Sequence, residues 1–243
     1  MGGVYRHGRD KVGRSARVQV TRGRGGVALR VDGTLASWHA PGTPATGTVW
    51  EAIAAPLLLL PASRRRSILV LGLGGGSAAR LARRLAPGAH IVGVERDRGV
   101  LRAARRWFGL SELDLEVVRG DARTYLARCR RRFDAVLEDV FVGRGRAVHK
   151  PAWMLESGLT LAAQRLQRGG ILASNNLDEA PVTRRVLGAR FPRVLCIGVE
   201  GYDNRILIGA PRPAAARSLR SVLARDPHLA SALPAFSLRT LHA

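Results

Sequence analysis

Cysteine is scarce in this chain of 243 residues: Cys129 and Cys196 are the only two, and their wide separation matches no metal or redox motif. No group of cysteine and histidine has the spacing of a zinc site, so we expect no metal. Long apolar runs are also missing, and the longest outside the glycine-rich region, Ile53–Leu60, is too short to cross a bilayer. The basic N-terminus has no apolar core behind it and is not a secretory signal. We therefore expect a cytoplasmic protein without a membrane partner.

Lysine and aromatic residues are rare, and the charge is strongly one-sided. Lys11 and Lys150 are the only lysines among 40 basic residues, and with 18 acidic residues the formal net charge is +22. Such a charge is typical of proteins with a nucleic-acid or other polyanionic partner. A general compositional bias toward Arg, Ala and Gly would produce the same positive net charge without such a partner. We favour this second interpretation over a nucleic-acid partner, because the arginines are spread along every segment and aromatics make up only 5%.

Apolar residues make up 46% of the chain, enough for one full-sized domain with a buried core. Short alternating segments predict a small N-terminal β-hairpin region. From Ile68 onward, apolar strands alternate with amphipathic helices, which predicts a mostly parallel sheet covered on both faces. The predicted divisions are a flexible basic N-terminus (1–17), a hairpin region with a connecting helix (18–62), a Rossmann-like domain (63–211) and a basic, partly helical tail (212–243).

The last two predicted strands flank the turn 201–204 and should pair as an antiparallel hairpin. Five parallel strands that end in such a hairpin are typical of an α/β, class I methyltransferase-like (Rossmann-like) fold rather than of the dehydrogenase Rossmann fold.

A glycine-rich turn follows the first strand of this pattern and opens a helix. Gly72, Gly74 and Gly76 meet the spacing G-x-G-x-G in LGLGGGSAARL, with Gly75 between the last two. Glycine allows the backbone to turn sharply and to approach a ligand closely. The helix that follows directs free N–H groups at whatever lies above the turn. The pattern therefore indicates a nucleotide-like ligand.

The next strand ends in a carboxylate that strengthens this interpretation. Glu95 lies 19 residues after Gly76, at the tip of HIVGVE. A carboxylate there is placed to accept hydrogen bonds from both ribose hydroxyls of a nucleoside. The alternative is an ion pair with Arg96 or Arg98, and we favour the ribose role.

Acidic residues also stand at the tips of the third and fourth strands. Asp121, followed by Ala122 at the start of a helix, is an N-cap, an acceptor for an adenine amino group, or both. Of Glu138 and Asp139, only one can face the pocket, because adjacent strand residues point opposite ways. Asp139 is a candidate general base or amine-binding group, with loop capping as the alternative. Asn175-Asn176, after the fifth strand, either form a turn or line the pocket.

The stretch from Val27 to Gly209 resembles the spermidine synthase (polyamine aminopropyltransferase) family. The similar segments are ALRVDGTLAS, ILVLGLGGGSAARL, VERD, GDA, FDAVLEDVF and DNRILIGA. The resemblance implies a methyltransferase-like core, an N-terminal β-domain and a homodimer. It implies transfer of an aminopropyl group from decarboxylated S-adenosylmethionine to a polyamine, with release of methylthioadenosine. Glu95, Asp121 and Asp139 match the family's ribose, adenine and catalytic-loop acidic positions.

The sequence departs from the family where cations are handled. Gly75 replaces an aspartate of the glycine motif, Val142 replaces a second acidic residue of the loop, and Val49-Trp50 replaces a Tyr-His pair before Glu51. Three hypotheses follow. The first is an aminopropyltransferase-like transferase acting on a small-molecule amine. The second is a methyltransferase that uses intact S-adenosylmethionine on another acceptor, with Gly75 leaving room for the methionine carboxylate. The third is a non-catalytic nucleoside-binding relative.

Overall fold

The computed structural model describes residues 10–14, 17–23, 25–43, 45–211 and 213–241. Near the N-terminus, four strands form an antiparallel sheet in chain order. Their bounds are Asp10–Arg14 (β1), Val18–Gly23 (β2), Gly26–Val31 (β3) and Thr34–His39 (β4). In the turn between β3 and β4, Asp32 and Gly33 both have positive φ, 49° and 83°, as a tight hairpin turn requires. The predicted hairpin and the short strand after it are confirmed.

The prediction of a flexible segment over 1–17 is wrong for Asp10–Arg14, which pair with β2 as β1. DKVGR has no apolar alternation, so nothing local indicates a strand; the backbone hydrogen bonds to β2 hold it at the edge of the sheet. Apart from Arg17, the other residues of that segment lie outside the described part of the chain.

Eight further strands form the second sheet. Their bounds are Ser67–Leu71 (β5), His90–Glu95 (β6), Glu116–Arg119 (β7), Phe133–Glu138 (β8), Leu166–Asn176 (β9), Arg193–Val199 (β10), Arg205–Ala210 (β11) and Phe236–Leu241 (β12). The order across the sheet is β12-β10-β11-β9-β8-β5-β6-β7. Strands β5 to β9 pair in parallel, and β10 and β11 form an antiparallel hairpin beside β9. This confirms the predicted fold class.

Seven α-helices accompany the strands in the described ranges. They are Val49–Ala54 (α1), Ser77–Leu85 (α2), Arg98–Trp107 (α3), Ala122–Arg128 (α4), Leu159–Gln164 (α5), Ala180–Gly188 (α6) and Ala216–Leu223 (α7). The connecting helix predicted within 18–62 is α1. It ends at Ala54 and tightens into a 3₁₀ segment, Ala55–Leu59, since Pro56 has no N–H to continue the α-helical ladder.

The segment 212–243, predicted as a partly helical tail, holds α7 but also β12. Strand β12 pairs with β10 and forms the edge of the large sheet, so the description as a tail is wrong there. Its burial alternates weakly, with only Phe236 fully buried, which leaves little sequence signal for a strand. The described residues contain no helix long and apolar enough to span a membrane.

The core surrounds the parallel strands, and every residue of β8 is buried. A separate cluster joins the N-terminal sheet to α3, through Val18, Val20, Val27, Leu29, Val100 and Phe108. This cluster holds the N-terminal sheet beside the carboxyl ends of the parallel strands. Cys129 and Cys196 are free thiols and only half-buried.

Candidate active site

The carboxyl ends of β5, β6, β7 and β8 meet at one edge of the sheet, and the glycine turn lies at its centre. Gly72, Gly74 and Gly76 have φ values of 79°, 55° and 87°, which glycine adopts without strain. Gly72 also lies so close to the Asp139 carbonyl that a Cβ would collide with it. Gly76 is the N-cap of α2, whose first turn carries no acidic residue.

Strand β4 packs directly on the glycine turn. The Gly75 N–H donates to Ser37 Oγ at 2.7 Å, and the Ser77 hydroxyl donates to the Trp38 carbonyl at 2.8 Å. A Cβ on Gly75 would lie 2.8 Å from Ser37 Cβ and 3.1 Å from Phe108 Cδ1. The room that a side chain at position 75 would need is therefore occupied by β4 and by Phe108.

Glu95 bridges the glycine turn and the start of α3. Its Oε2 accepts from the Gly74 N–H at 3.0 Å, and its Oε1 accepts from the Asp97 N–H at 2.9 Å. Burial raises the pKa of Glu95, against these backbone hydrogen bonds, which lower it. In the described part of the chain, neither Arg96 nor Arg98 forms an ion pair with it. Each carboxylate oxygen has a second lone pair, so Glu95 retains acceptor capacity for two hydroxyls.

Asp121 begins α4 at the tip of β7. Its Oδ1 accepts from the Thr124 N–H at 3.1 Å, so the N-cap interpretation is confirmed. Asp121 is exposed while Ala122 behind it is buried. Because capping uses Oδ1, the N-cap is compatible with an adenine contact through the other oxygen.

Asp139 lies at the tip of β8, between an amide and an indole. Asn175 Nδ2 donates to its Oδ1 at 2.8 Å, and the Trp50 side chain also hydrogen bonds to it. Asn204 Nδ2 in turn donates to Asn175 Oδ1 at 2.9 Å, which fixes the orientation of that amide. Burial raises the pKa of Asp139 from 3.8 to about 7, with the hydrogen bond from Asn175 acting in the opposite direction. Such a carboxylate can accept a proton near neutral pH.

Glu138 faces the other way and forms a fully buried ion pair. Lys150 Nζ lies 2.6 Å from its Oε2, both side chains are 0% exposed, and the Ser174 hydroxyl donates to the same Oε2 at 2.6 Å. The Lys150 ammonium also lies 4.8 Å from the centre of the Phe141 ring. The pair joins the two ends of the loop 139–150 that carries Asp139.

Replacing Lys150 by Met should lower the free energy of unfolding by about 3–5 kcal/mol, because it leaves the Glu138 carboxylate buried without its counter-charge. Urea unfolding followed by circular dichroism measures the effect. The matched control, Lys150→Met with Glu138→Leu, removes both charges and should recover a large part of the loss. Equal losses in the single and double variants would contradict this account.

Five residues of the site escaped the sequence-based prediction or were left open there, and one is Trp50, whose side chain hydrogen bonds to Asp139. Ser37 and Asn204 lie in two segments that resemble the family, ALRVDGTLAS and DNRILIGA, but no local pattern gives them a role, because only the tertiary fold brings them to the turn and to Asn175. Lys150 offered a weak signal, as one of two lysines in an arginine-rich chain. Of the Asn175-Asn176 pair, Asn175 contacts Asp139, whereas Asn176 accepts from the Thr183 hydroxyl at 2.6 Å and is structural.

A hollow of about 670 Å³ lies between α6 and β10, and none of these carboxylates lines it. We assign the candidate site to the strand tips, because the titratable groups converge there. The described residues hold no group of three or more His, Cys, Asp and Glu side chains that could bind a metal ion.

The sheet order reverses between β5 and β8, and the glycine turn lies at this switch point, where ligands bind in open α/β sheets. Together with the antiparallel hairpin of β10 and β11, these features define a class I methyltransferase-like fold.

Known structures specify that fold further. A probable spermidine synthase from Corynebacterium glutamicum has a TM-score of 0.70 and 19% identity, covering 91% of this chain and 86% of the other. Human methyltransferase-like protein 13, in complex with SAH (S-adenosylhomocysteine), has a TM-score of 0.60 and 26% identity, covering 76% and 92%. The chain has a divergent spermidine synthase-like, class I methyltransferase-like fold.

The curated relatives are likewise aminopropyltransferases and methyltransferases. The polyamine aminopropyltransferase of Vibrio vulnificus is 34% identical over 128 residues, 51% of this chain and 41% of the relative. The eEF1A lysine and N-terminal methyltransferase of Danio rerio is 30% identical over 154 residues, 58% of this chain and 22% of the relative. The matches thus span less than half the length of these relatives. No family model matches the chain.

Proposed function

We propose that this chain is a transferase that uses an S-adenosylmethionine-type donor and acts on an amine. The glycine turn, Glu95 and Asp121 would hold the nucleoside, with Ala122 behind Asp121. The acceptor would lie at Asp139. By their names, the aminopropyltransferase acts on polyamines and the methyltransferase on lysine and N-terminal amines. An amine nucleophile is therefore the acceptor chemistry that both groups of relatives support.

Asp139 would accept the proton that the amine loses. In the transfer, the nitrogen lone pair forms a bond to the carbon attached to sulfur, the carbon–sulfur bond breaks, and its electron pair stays on sulfur. The sulfonium is already a good leaving group, so catalysis consists mainly of alignment and removal of the proton. Trp50 and Asn175 hold the Asp139 carboxylate in place for this step.

The contact between Gly75 and Ser37 is the observation that favours intact over decarboxylated S-adenosylmethionine as the donor. The Gly75 N–H donates to the buried Ser37 hydroxyl, and position 75 lacks the carboxylate that the resemblance to the spermidine synthase family implies for the cationic donor. Arg80 of α2 and Arg84 of the same helix add positive charge beside β4: after burial, which is the largest cause, their charges help to lower the pKa of His39 to about 4. A positive field and a helix N-terminus without acidic residues favour the methionine carboxylate of intact S-adenosylmethionine. Methyl transfer is therefore the first candidate.

Position 75 does not have the open space that the methyltransferase hypothesis predicted. We expected Gly75 to leave open room for the methionine carboxylate, but Ser37 and Phe108 fill the space next to its Cα. Intact donor is therefore favoured by the lack of an acidic side chain at position 75 and in the first turn of α2, and by the nearby arginines, not by free volume at position 75.

Aminopropyl transfer is the second candidate, favoured by the match of Asp139 to the family's catalytic-loop position. To separate the two, the full chain is incubated with S-adenosylmethionine or its decarboxylated form, and with a lysine-containing peptide or putrescine. Mass spectrometry then quantifies S-adenosylhomocysteine and methylthioadenosine. Methyl transfer predicts S-adenosylhomocysteine with the peptide. Methylthioadenosine from the decarboxylated donor would favour the second candidate, and neither product from folded protein would support the non-catalytic alternative.

Replacing Gly75 by Asp should weaken S-adenosylhomocysteine binding at least tenfold more than replacing it by Asn. The two side chains have nearly the same volume and meet the same obstruction at Ser37, so the difference isolates the repulsion between carboxylates. Calorimetric titration of both variants measures it. Equal losses would mean that position 75 acts only through packing.

A further inference from the structure

A hollow of about 370 Å³ lies beside the strand tips, between α3 and the edge strand β7. Its lining is Leu101 and four arginines: Arg98, Arg102, Arg105 and Arg119. The first three are spaced four and three residues apart, so one side of α3 presents them together. Arg119 is the last residue of β7. We call this site the arginine hollow.

Protein carboxylates do not compensate this charge. Among the described residues, the side chains of the four arginines form no ion pair or hydrogen bond. The nearby acidic groups have other partners: Asp97 Oδ2 lies 3.5 Å from Arg17, and Glu116 lies 2.9 Å from Arg131. Glu95 accepts from backbone N–H groups. Several arginines elsewhere form ion pairs with carboxylates, for example Arg17 with Asp32 and Arg131 with Glu116. The arginine-rich composition alone therefore does not explain why these four arginines lack a carboxylate partner.

The chemistry of the lining selects the ligand. Guanidinium groups present planar pairs of N–H donors that match phosphate oxygens, and a bound anion offsets the mutual repulsion of four cations. No aromatic ring lines the hollow, so base stacking has no platform there. Recognition would therefore rest on phosphate itself.

We propose that the arginine hollow binds a phosphate group, carried by a free diphosphate or by a nucleic-acid strand. The hollow lies next to the proposed donor site, since Arg119 pairs in register with Glu95. It lies on the β7 side, whereas Asp139 follows β8 on the other side of the glycine turn. A phosphate-bearing molecule and the nucleoside would thus occupy neighbouring, separate sites. The proposal does not depend on the proposed function.

Calorimetric titration of the full chain with inorganic pyrophosphate, at one fixed low salt concentration, tests the proposal. The site variant is Arg102→Gln with Arg105→Gln. The control is Arg217→Gln with Arg220→Gln, which removes the same charge from exposed positions on α7, packed on β12 at the opposite edge of the sheet. We expect the site variant to bind at least tenfold more weakly and the control to change less than threefold. Melting curves check that both variants fold.

A second titration, with a twelve-residue oligothymidylate, separates the two sources. A loss of oligonucleotide affinity specific to the site variant indicates a nucleic-acid strand. An equal loss in both variants, with pyrophosphate affected only in the site variant, indicates a free phosphate compound. Equal pyrophosphate affinities in the two variants, or no binding to the wild-type chain, would overturn the proposal. Competition between pyrophosphate and S-adenosylhomocysteine would overturn it as a separate site.

Discussion

Replacing Asp139 by Asn should lower kcat by about 10²- to 10⁴-fold, the usual contribution of a general base. Asparagine keeps the size of the side chain but cannot accept the proton that the amine loses. Binding of S-adenosylhomocysteine should change little, because Glu95 and the glycine turn hold the nucleoside. Steady-state kinetics with calorimetry on the same samples separates the two effects.

The control for this variant is Asp114→Asn. Asp114 is fully exposed and precedes β7, at the edge of the sheet opposite the strand tips, and asparagine tolerates its positive φ of 50°. Unchanged kcat is expected there. A kcat for Asp139→Asn within threefold of wild type would contradict the role of Asp139 as proton acceptor.

The pKa of Asp139 also predicts a pH dependence. Since the pKa is raised to about 7, the wild-type rate should rise with pH and reach half its plateau near pH 7, as the carboxylate forms. Stability should change in the opposite direction. The folded state binds the proton more tightly than the unfolded chain, so the free energy of unfolding falls as pH rises from about 4 to 7. Asp139→Asn should lose this part of the dependence.

Replacing Glu95 by Gln should weaken nucleoside binding at least about tenfold, because two ribose hydroxyls lose a charged acceptor. Hydrogen bonds to a charged group contribute about 1.5–3 kcal/mol each, and about 1.4 kcal/mol corresponds to a tenfold change in Kd. Calorimetric titration with S-adenosylhomocysteine measures the loss. Melting curves are needed beside it, since the new NH₂ group faces the backbone N–H of Gly74 or of Asp97.

Glu116→Gln is the matched control for Glu95→Gln. Glu116 is exposed at the start of β7 and interacts with Arg131 and His90, away from the strand tips. It should leave the affinity unchanged. If both glutamate variants bind as tightly as wild type, Glu95 does not contact the ribose.

Much of the fold could be predicted because its signals are local. Strands β6 and β8 end at Glu95 and Glu138, as their predicted tips require, since each is an apolar run next to a turn or a helix start. Strands β1 and β12 could not be predicted in this way. Both are edge strands that depend on a neighbouring strand for their hydrogen bonds, and their own sequences alternate weakly or not at all.

The candidate site, like the fold, could be predicted only in part. The positions of Glu95, Asp121 and Asp139 could be predicted, because the carboxyl ends of parallel strands always meet at one edge. Their surroundings could not: Ser37 reaches Gly75 only through packing of a distant segment, and Lys150 reaches Glu138 only through the path of the loop between them. The homodimer that the resemblance implies stays a prediction.

The measurement that tests the central claim most directly is a calorimetric comparison of S-adenosylhomocysteine and methylthioadenosine on the wild-type chain. The two share the thioadenosine and differ in whether a methionine carboxylate and amino group are present. We predict one binding site for both, at least tenfold tighter for S-adenosylhomocysteine. Absence of binding by folded protein would contradict the nucleoside site, and tighter binding of methylthioadenosine would contradict the use of the intact donor.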